Sequence, residues 1–343
     1  MTMKAVRIHE FGDTSVLRLE EVPVPEPGPG EVLLKVGATA LNYLDLWTRK
    51  GQPKPTNPLP HILGSDIAGE VARLGPGVQG WSEGDQVMIN PGLSCGQCPA
   101  CLSGRDNWCP RYGVMGVARN GGYAEYVTVP AVNLVPKPAN LSYEEAAAIP
   151  LVFITAWHML DRARLEMGET VLVFGASGGV GTAAVQAARL RGARVLAVAG
   201  GEEKARRVKE LGAHEVIDHT SQDIAQTVKE LTGGRGVDVV VESVGAAVWE
   251  AALRSMGRQA RLVTCGATSG PQVGIDLRHL FAKHQTMVGT YMGPKADLWT
   301  MLPYIEAGRL RGVVDRALPL EEAAQAHQII ENRQHVGKVV LVP

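Results

Sequence analysis

The 343-residue chain has no surplus of either charge: 34 Lys and Arg stand against 35 Asp and Glu, a formal net charge of −1. Without a broad field of one sign there is little to attract a phosphate backbone or an anionic membrane, so neither nucleic acid nor membrane is expected as a partner. Long apolar runs are missing as well. No stretch of about 18 residues, the length a spanning helix needs, is clear of charges and turn formers. The N-terminal MTMKAVRIHE has no apolar centre of the kind a secretory signal carries, and the expectation is a soluble, cytoplasmic protein. Charged residues make up only 20% of the chain, whereas 45% is hydrophobic and 40 residues are glycine, a mixture that favours tight turns and buried parallel sheet. At this length about two domains are expected.

Nor is a disulfide framework expected. Cys95, Cys98, Cys101 and Cys109 fall within fifteen residues of a long chain without a leader, and such clustered thiols ligate metal more often than they pair. Their x2, x2, x7 spacing in a Gly- and Pro-rich loop lets four thiolates converge tetrahedrally on zinc. A closed four-thiolate set leaves no position for substrate. One structural Zn2+ per chain is therefore expected, ordering a loop too irregular to hold itself. Cys265, alone in RLVTCG, reads as a small core residue.

From Thr170 short β-branched runs alternate with helical stretches: TVLVFG, GGVGTAAVQAARLRG, ARVLAVA, EEKARRVKELG, HEVIDH, VDVVVESV, ARLVTCG and TMVGTY. The strands are continuously apolar, as a parallel sheet covered on both faces requires, and about six fit between 170 and 292. The first 150 residues differ, with KAVRI, VLRLEEV, EVLLKVGATA, IAGEVARLG, DQVMI and YAEYVTV as short strand candidates between turns. LSYEEAAAIPLVFITAWHML opens on a capping box of Ser142 and Glu145 and bridges the two parts. After Tyr291 the helical DLWTMLPYIEAG and LEEAAQAHQII lead to GKVVLVP, a strand expected to return to the first domain. The fold class is α/β: a β-rich domain over 1–150, completed by 295–343, and a doubly wound parallel sheet over 151–294. The apolar last strand, TMVGTYMG, leaves a sheet edge that another copy would cover, so a homodimer or homotetramer is expected.

Strand TVLVFG runs directly into Gly175, Ala176, Ser177, Gly178, Gly179, Val180 and Gly181, and then into an Ala-rich helix. Glycines there let backbone N–H groups approach a pyrophosphate, and the helix N-terminus adds orphan donors and partial positive charge. Ala176, Ser177, Gly178, Gly179, Val180 and Gly181 thus form a candidate dinucleotide cradle. The choice between cofactors is read about 20 residues on, at the end of the second strand, where an acid would bind a ribose hydroxyl. Ala199 is followed there by Gly200 and Gly201, and then by Lys204, Arg206 and Arg207. NADP(H) is favoured, and NAD(H) stays open through Glu202 or Glu203.

These motifs, with ALNYLD, GSDIAGEV, GDQV and GGYAEY in that order, resemble the medium-chain dehydrogenase/reductase superfamily over nearly the whole chain. This is the family of zinc alcohol dehydrogenases and quinone oxidoreductases. The resemblance implies a GroES-like catalytic domain, a Rossmann domain and an active site in the cleft between them. It also implies Thr155 near the nicotinamide, Gly266 in the cofactor groove and Lys338 against the pyrophosphate. The chain departs from the zinc alcohol dehydrogenases at three places: Asn42 replaces a catalytic cysteine, Gly64-Ser65-Asp66 replaces Gly-His-Glu, and Leu151 replaces a third ligand. A catalytic zinc needs about three convergent protein ligands and an open position.

The segment ALNYLDLWTR resembles instead the quinone oxidoreductase branch, which assigns Asn42 and Asp45 to the cleft. Without a Lewis acid, charge developing on an acceptor oxygen must be met by hydrogen-bond donors, and Asn42 and Ser65 are the candidates. The expected activity is NAD(P)H-dependent hydride transfer to a quinone, enone or activated carbonyl small molecule without catalytic zinc. A zinc-dependent alcohol dehydrogenase and a non-catalytic dinucleotide-binding protein are the alternatives. Zinc content separates the first from the expected activity, and NADPH oxidation separates the second.

Overall fold

In a computed structural model, which describes residues 1–56 and 58–343, the chain forms two units: Met1–Leu151 together with Pro294–Pro343, and Val152–Gly293. In the first, β1 (Thr2–Ile8) pairs antiparallel with β2 (Arg18–Pro23) and β4 (His61–Ile62). A larger sheet runs in the order β10 (Leu134–Pro136), β6 (Gln86–Ile89), β5 (Asp66–Leu74), β3 (Glu31–Ala40), β18 (Lys338–Val342), β17 (Val314–Pro319), and β9 (Tyr126–Pro130) also pairs with β3. β7 (Gly92–Leu93) and β8 (Gly113–Val114) make a short ribbon.

The alternation along β3 explains its central place. Val32, Leu34 and Val36 pack with Val71, Val87, Ile89 and Val129 in one core. Leu41, just past the strand, joins Val339 and Leu341 of β18 and Ile8 of β1 in another. Helices close this unit: α1 (Tyr43–Arg49), α2 (Pro99–Leu102), α3 (Tyr143–Ala147), α10 (Lys295–Glu306) and α11 (Ala323–Glu331). The capping box at Ser142 is present, with Glu145 N–H on Ser142 Oγ and Ser142 N–H on Glu145 Oε2. α4 (Pro150–Arg162) starts at Pro150, whose fixed φ and missing N–H suit a first turn.

The second unit alternates strand and helix: β11 (Thr170–Val173), α5 (Gly179–Leu190), β12 (Arg194–Ala199), α6 (Glu202–Glu210), β13 (Glu215–Asp218), α7 (Ile224–Leu231), β14 (Val237–Glu242), α8 (Trp249–Ser255), β15 (Met256–Thr264), α9 (Leu277–Ala282) and β16 (Thr286–Gly289). The sheet order is β13-β12-β11-β14-β15-β16, all parallel. Strand order reverses between β11 and β14, and doubly wound sheets bind ligands outside the strand ends at that point. Leu172, Leu196, Ile217, Val240 and Leu262 fill its core. The class is α/β, with a six-stranded parallel Rossmann sheet. Among the described residues, no helix is long and apolar enough to cross a membrane.

Candidate active site and metal centre

The last residue of β3, Ala40, pairs with Asp66 at the start of β5 and with Val340 of β18. Continuing the β18 register by two residues sets Lys338 opposite Asn42, so three polar side chains meet at one end of the sheet. Lys338 Nζ donates to Asn42 Oδ1 at 2.5 Å and to Asp66 Oδ2 at 3.0 Å, while Asn42 Nδ2 donates to Asp66 Oδ2 at 2.9 Å. Asp66 Oδ1 accepts the Leu151 N–H at 2.7 Å. Asp66 is fully buried, Lys338 is 2% exposed and Asn42 7%. A single charge buried this deeply would cost several kcal/mol. Here the ammonium and carboxylate compensate one another, and hydrogen bonds saturate what remains.

Asp45, one turn into α1, reaches back to the cap: its Oδ2 accepts the Asn42 N–H at 2.7 Å and its Oδ1 the Gly64 N–H at 3.1 Å. Burial pushes the Asp45 carboxyl up to about 7, against the pull of those two N–H groups and of Lys338. Ser65 Oγ donates to Met115 O at 2.7 Å. The expectation that Asn42 and Ser65 offer donors to an acceptor oxygen therefore meets a different geometry. The Asn42 amide hydrogens are committed to Asp66 and Ala40 O, and the Ser65 hydroxyl is committed to Met115. His61, nearby in sequence, turns Nε2 to Gly116 O at 2.8 Å. Lys338, assigned by resemblance to a pyrophosphate, is held in the ring of Asn42 and Asp66.

The four clustered thiols converge. Their sulfurs lie within 4.8 Å of one another, with Cys98 to Cys101 at 3.5 Å and Cys95 to Cys101 at 3.9 Å. Tetrahedral Zn–S bonds of about 2.3 Å place sulfurs about 3.8 Å apart, so the set fits zinc. The N–H groups of Cys95 and Arg111 point at Cys109 Sγ, at 3.5 Å and 3.3 Å. The Gln97 N–H and the Arg111 side chain hold the Cys95 thiol down at about 5. Lys295 Nζ ties the lobe down through Ser94 Oγ at 2.9 Å and Asp106 Oδ2 at 3.0 Å.

In the second unit the glycine turn occupies the space between β11 and α5. A Cβ on Gly181 would collide with Gly175 O and lie 2.6 Å from Ala176 Cα, so only glycine lets the helix sit this close. Gly178 is the N-cap of α5 and supplies no side-chain cap. The N–H groups of the first turn are left for a ligand, and a pyrophosphate fits them. Gly200 stands one residue past β12, and Lys204 lies in the first turn of α6. Thr155 is buried and donates Oγ1 to Met292 Sδ at 3.7 Å.

Gly266 lines a cavity of about 310 Å³ with Glu242, Trp249, Thr264, Cys265 and Gly289. Two features of this cavity escape the sequence reading. Glu242 accepts from the N–H groups of Val244 and Gly245 and from Thr264 Oγ1, and burial raises its carboxyl. Trp249 Nε1 is buried with no hydrogen-bond partner among the described residues. The only sequence signal was a glutamate ending a run of valines in VDVVVES. Burial of the sulfur pushes the Cys265 thiol up to about 12, but the residue is half-buried and lines this cavity instead of filling a core, which corrects its expected place.

Residues 28–139 match the family model of the alcohol dehydrogenase GroES-like domain, and residues 179–307 that of the zinc-binding dehydrogenases. The chain is similar to a crystal structure of an NAD-dependent alcohol dehydrogenase: TM-score 0.97, 48% identity, covering 99% of this chain and 100% of that one. It is 33% identical to the quinone oxidoreductase of Rattus norvegicus, over 99% of this chain and 98% of that protein. It is 32% identical to a crotonyl-CoA reductase of Streptomyces avermitilis, over 94% and 81% respectively.

Proposed function

The chain belongs to the medium-chain dehydrogenase/reductase superfamily, as an NAD(P)-dependent oxidoreductase with a four-cysteine structural zinc site, and on that footing we propose that it passes hydride to a conjugated acceptor without a catalytic zinc. The acceptor class is a quinone, an enone or an activated carbonyl.

Lys338 carries this reading. The three segments in which the resemblance places catalytic-zinc ligands supply Asn42, Asp66 and the Leu151 amide, and the cation among them is the Lys338 ammonium. A zinc ion entering between Asn42 and Asp66 would share a buried carboxylate with a second cation or displace it, and either is costly. Reduced nicotinamide, when bound, supplies the hydride. The chain's own residues prepare the wall: Lys338 and Asp66 orient the Asn42 amide, Asp45 holds its backbone, and Ser65 fixes the strand beside Met115. Asn42, Asp45 and Ser65 act as positioning residues in this reading. An acceptor that delocalises its own negative charge asks least of such a site, whereas a simple ketone asks for a Lewis acid. The names of two relatives point the same way, since a quinone and an enoyl thioester are both conjugated.

For the cofactor the proposal is NADP(H), resting on the absence of an acid at Gly200 and on nearby Lys204. The NAD-dependent alcohol dehydrogenase at 48% identity supports NAD(H) and alcohol oxidation as the second reading, with zinc as the metal it would use. Self-association along the β16 edge, as a homodimer or a pair of dimers, completes the proposal.

Zinc per chain, measured beside oxidation of NADPH and NADH by benzoquinone, an enone and a simple ketone, tests it. One zinc per chain is expected, with the conjugated acceptors reduced and the ketone inert. Two zincs per chain, with alcohol oxidation abolished by a chelator, would establish the second reading instead.

A further inference from the structure

The end of β12 is where a dinucleotide fold reads the 2′ position of the adenosine ribose. Ala199, the last residue of that strand, is buried and pairs with Asp218, the last residue of β13. One step further, the His219 N–H donates to Ala199 O at 3.1 Å, which sets His219 beside Gly200. The imidazole then closes over that glycine: a Cβ built on Gly200 would stand 2.7 Å from His219 Nε2. A side chain added at Gly200 would have to push the ring aside before it could occupy that space. The position usually taken by a carboxylate of the second strand is held here by an imidazole of the third, and His219 is exposed to solvent.

The groups around the ring are defined. Asp218 Oδ1 accepts the Gly201 N–H at 3.0 Å, the Thr220 N–H at 3.0 Å and Thr220 Oγ1 at 2.7 Å. Those bonds hold the Asp218 carboxyl down at about 2, so it is a constant negative charge, with Oδ1 engaged in shaping the turn. The first turn of α6 brings Glu202, Glu203 and Lys204 to the same end of the sheet. Beyond them Arg206 pairs with Glu210 at 2.6 Å. Of the side-chain types gathered here, histidine is the one whose charge ordinarily switches near neutral pH.

We propose that His219 reads the ribose 2′ position and makes the choice between NADP(H) and NAD(H) depend on pH. As an imidazolium it donates a charge-assisted hydrogen bond to a 2′-phosphate; as a neutral ring it keeps one donor and one acceptor, which match a ribose hydroxyl. Lys204 supplies a second cation for the phosphate. The inference rests on the glycine turn being the dinucleotide site, and it holds whichever cofactor is preferred at neutral pH.

The test is binding, read without turnover: dissociation constants of NADPH and NADH for the zinc-loaded protein between pH 5.5 and 8.5, by calorimetry. The 2′-phosphate has an ionisation of its own near pH 6, common to every variant. His219→Gln therefore isolates the imidazole, and His219→Lys keeps a permanent cation. Between pH 6 and 8 the wild-type preference for NADPH over NADH should fall about tenfold further than that of His219→Gln, the worth of one charge-assisted hydrogen bond. His219→Lys should follow the shallow slope of His219→Gln while favouring NADPH throughout. Equal slopes in wild type and His219→Gln, with both dinucleotides bound, would overturn the role of His219 alone. Failure to bind either dinucleotide would overturn the cofactor assignment, and this inference with it.

Discussion

Arg49 has no exposed surface, and each nitrogen of its guanidinium finds a partner among the described residues. Its Nε donates to Gly12 O at 3.2 Å, Nη2 to Glu331 Oε1 at 2.6 Å and Nη1 to His327 Nδ1 at 3.1 Å. A guanidinium only donates, so Nδ1 accepts, the ring proton sits on Nε2, and that proton goes to Tyr123 Oη at 3.0 Å. Burial, with Arg49 beside it, drives the His327 pKa well below the usual histidine value. Its contribution to stability is complete above the unfolded value, about 6.5, and is lost as pH falls below it, because the unfolded chain takes up a proton that the folded one refuses. Asp45 works in the other direction: its raised carboxyl favours folding more as pH falls from about 7 toward 4. The difference between wild type and His327→Gln isolates the histidine. That difference in unfolding free energy should shrink by about 2 kcal/mol from pH 7 to pH 5 in denaturant melts. A difference constant across that range would reject the neutral, buried assignment. At this scale Asn42, Asp45 and Ser65 were legible as candidates from the sequence, but their committed hydrogens were not, since Met115 and Leu151, which satisfy Ser65 and Asp66, lie far from them along the chain.

Among the elements, the Cys lobe has the least structure of its own. α2 is four residues long, and β7 and β8 two each. Its backbone hydrogen bonds between Cys98 and Tyr112 close single turns and do not tie the lobe to distant strands, so the lobe depends on its metal. Cys98→Ser should lower the melting midpoint by on the order of 5–10 °C, a few kcal/mol at this chain size, while the folded fraction keeps its KM for the dinucleotide. A variant with unchanged midpoint and circular dichroism but almost no turnover would show that this zinc is not structural. The Rossmann strands were readable because each is a continuous apolar run bounded by glycine or a charge, and TVLVFG, ARVLAVA and VDVVVESV fold accordingly as β11, β12 and β14. β4, β7, β8 and β10 are too short to show any period. α1 is not legible as a helix in the sequence either: ALNYLDLWTR starts it at an asparagine cap, and the seven helical residues hold too few turns to display a face.

At the scale of the whole molecule, β16 ends the six-stranded sheet with one side unpaired, and α9 beside it in sequence leaves Leu277 65% and Phe281 68% exposed. A second copy related by a two-fold axis would add its own β16 and cover these side chains, which is the proposed self-association. In such an isologous contact a charge placed near the axis approaches its own copy. Leu277→Glu with Phe281→Glu should therefore convert a dimer at micromolar concentration to monomer by sedimentation, with unchanged circular dichroism. A wild-type monomer under the same conditions would remove the proposal.

The sequence by itself determined what depends on neighbours along the chain: the strand and helix alternation after Thr170, the glycine turn before α5 and the clustering of four thiols. Each is a local pattern whose physics is complete within a few dozen residues. Only the tertiary structure decided the partners of Lys338 and the place of His219. The register of β18 on β3 brings a residue near the C-terminus to Asn42, and the register of β13 on β12 lays an imidazole over Gly200. Strand pairing is set by the packing of whole sheets, so no window of sequence contains it.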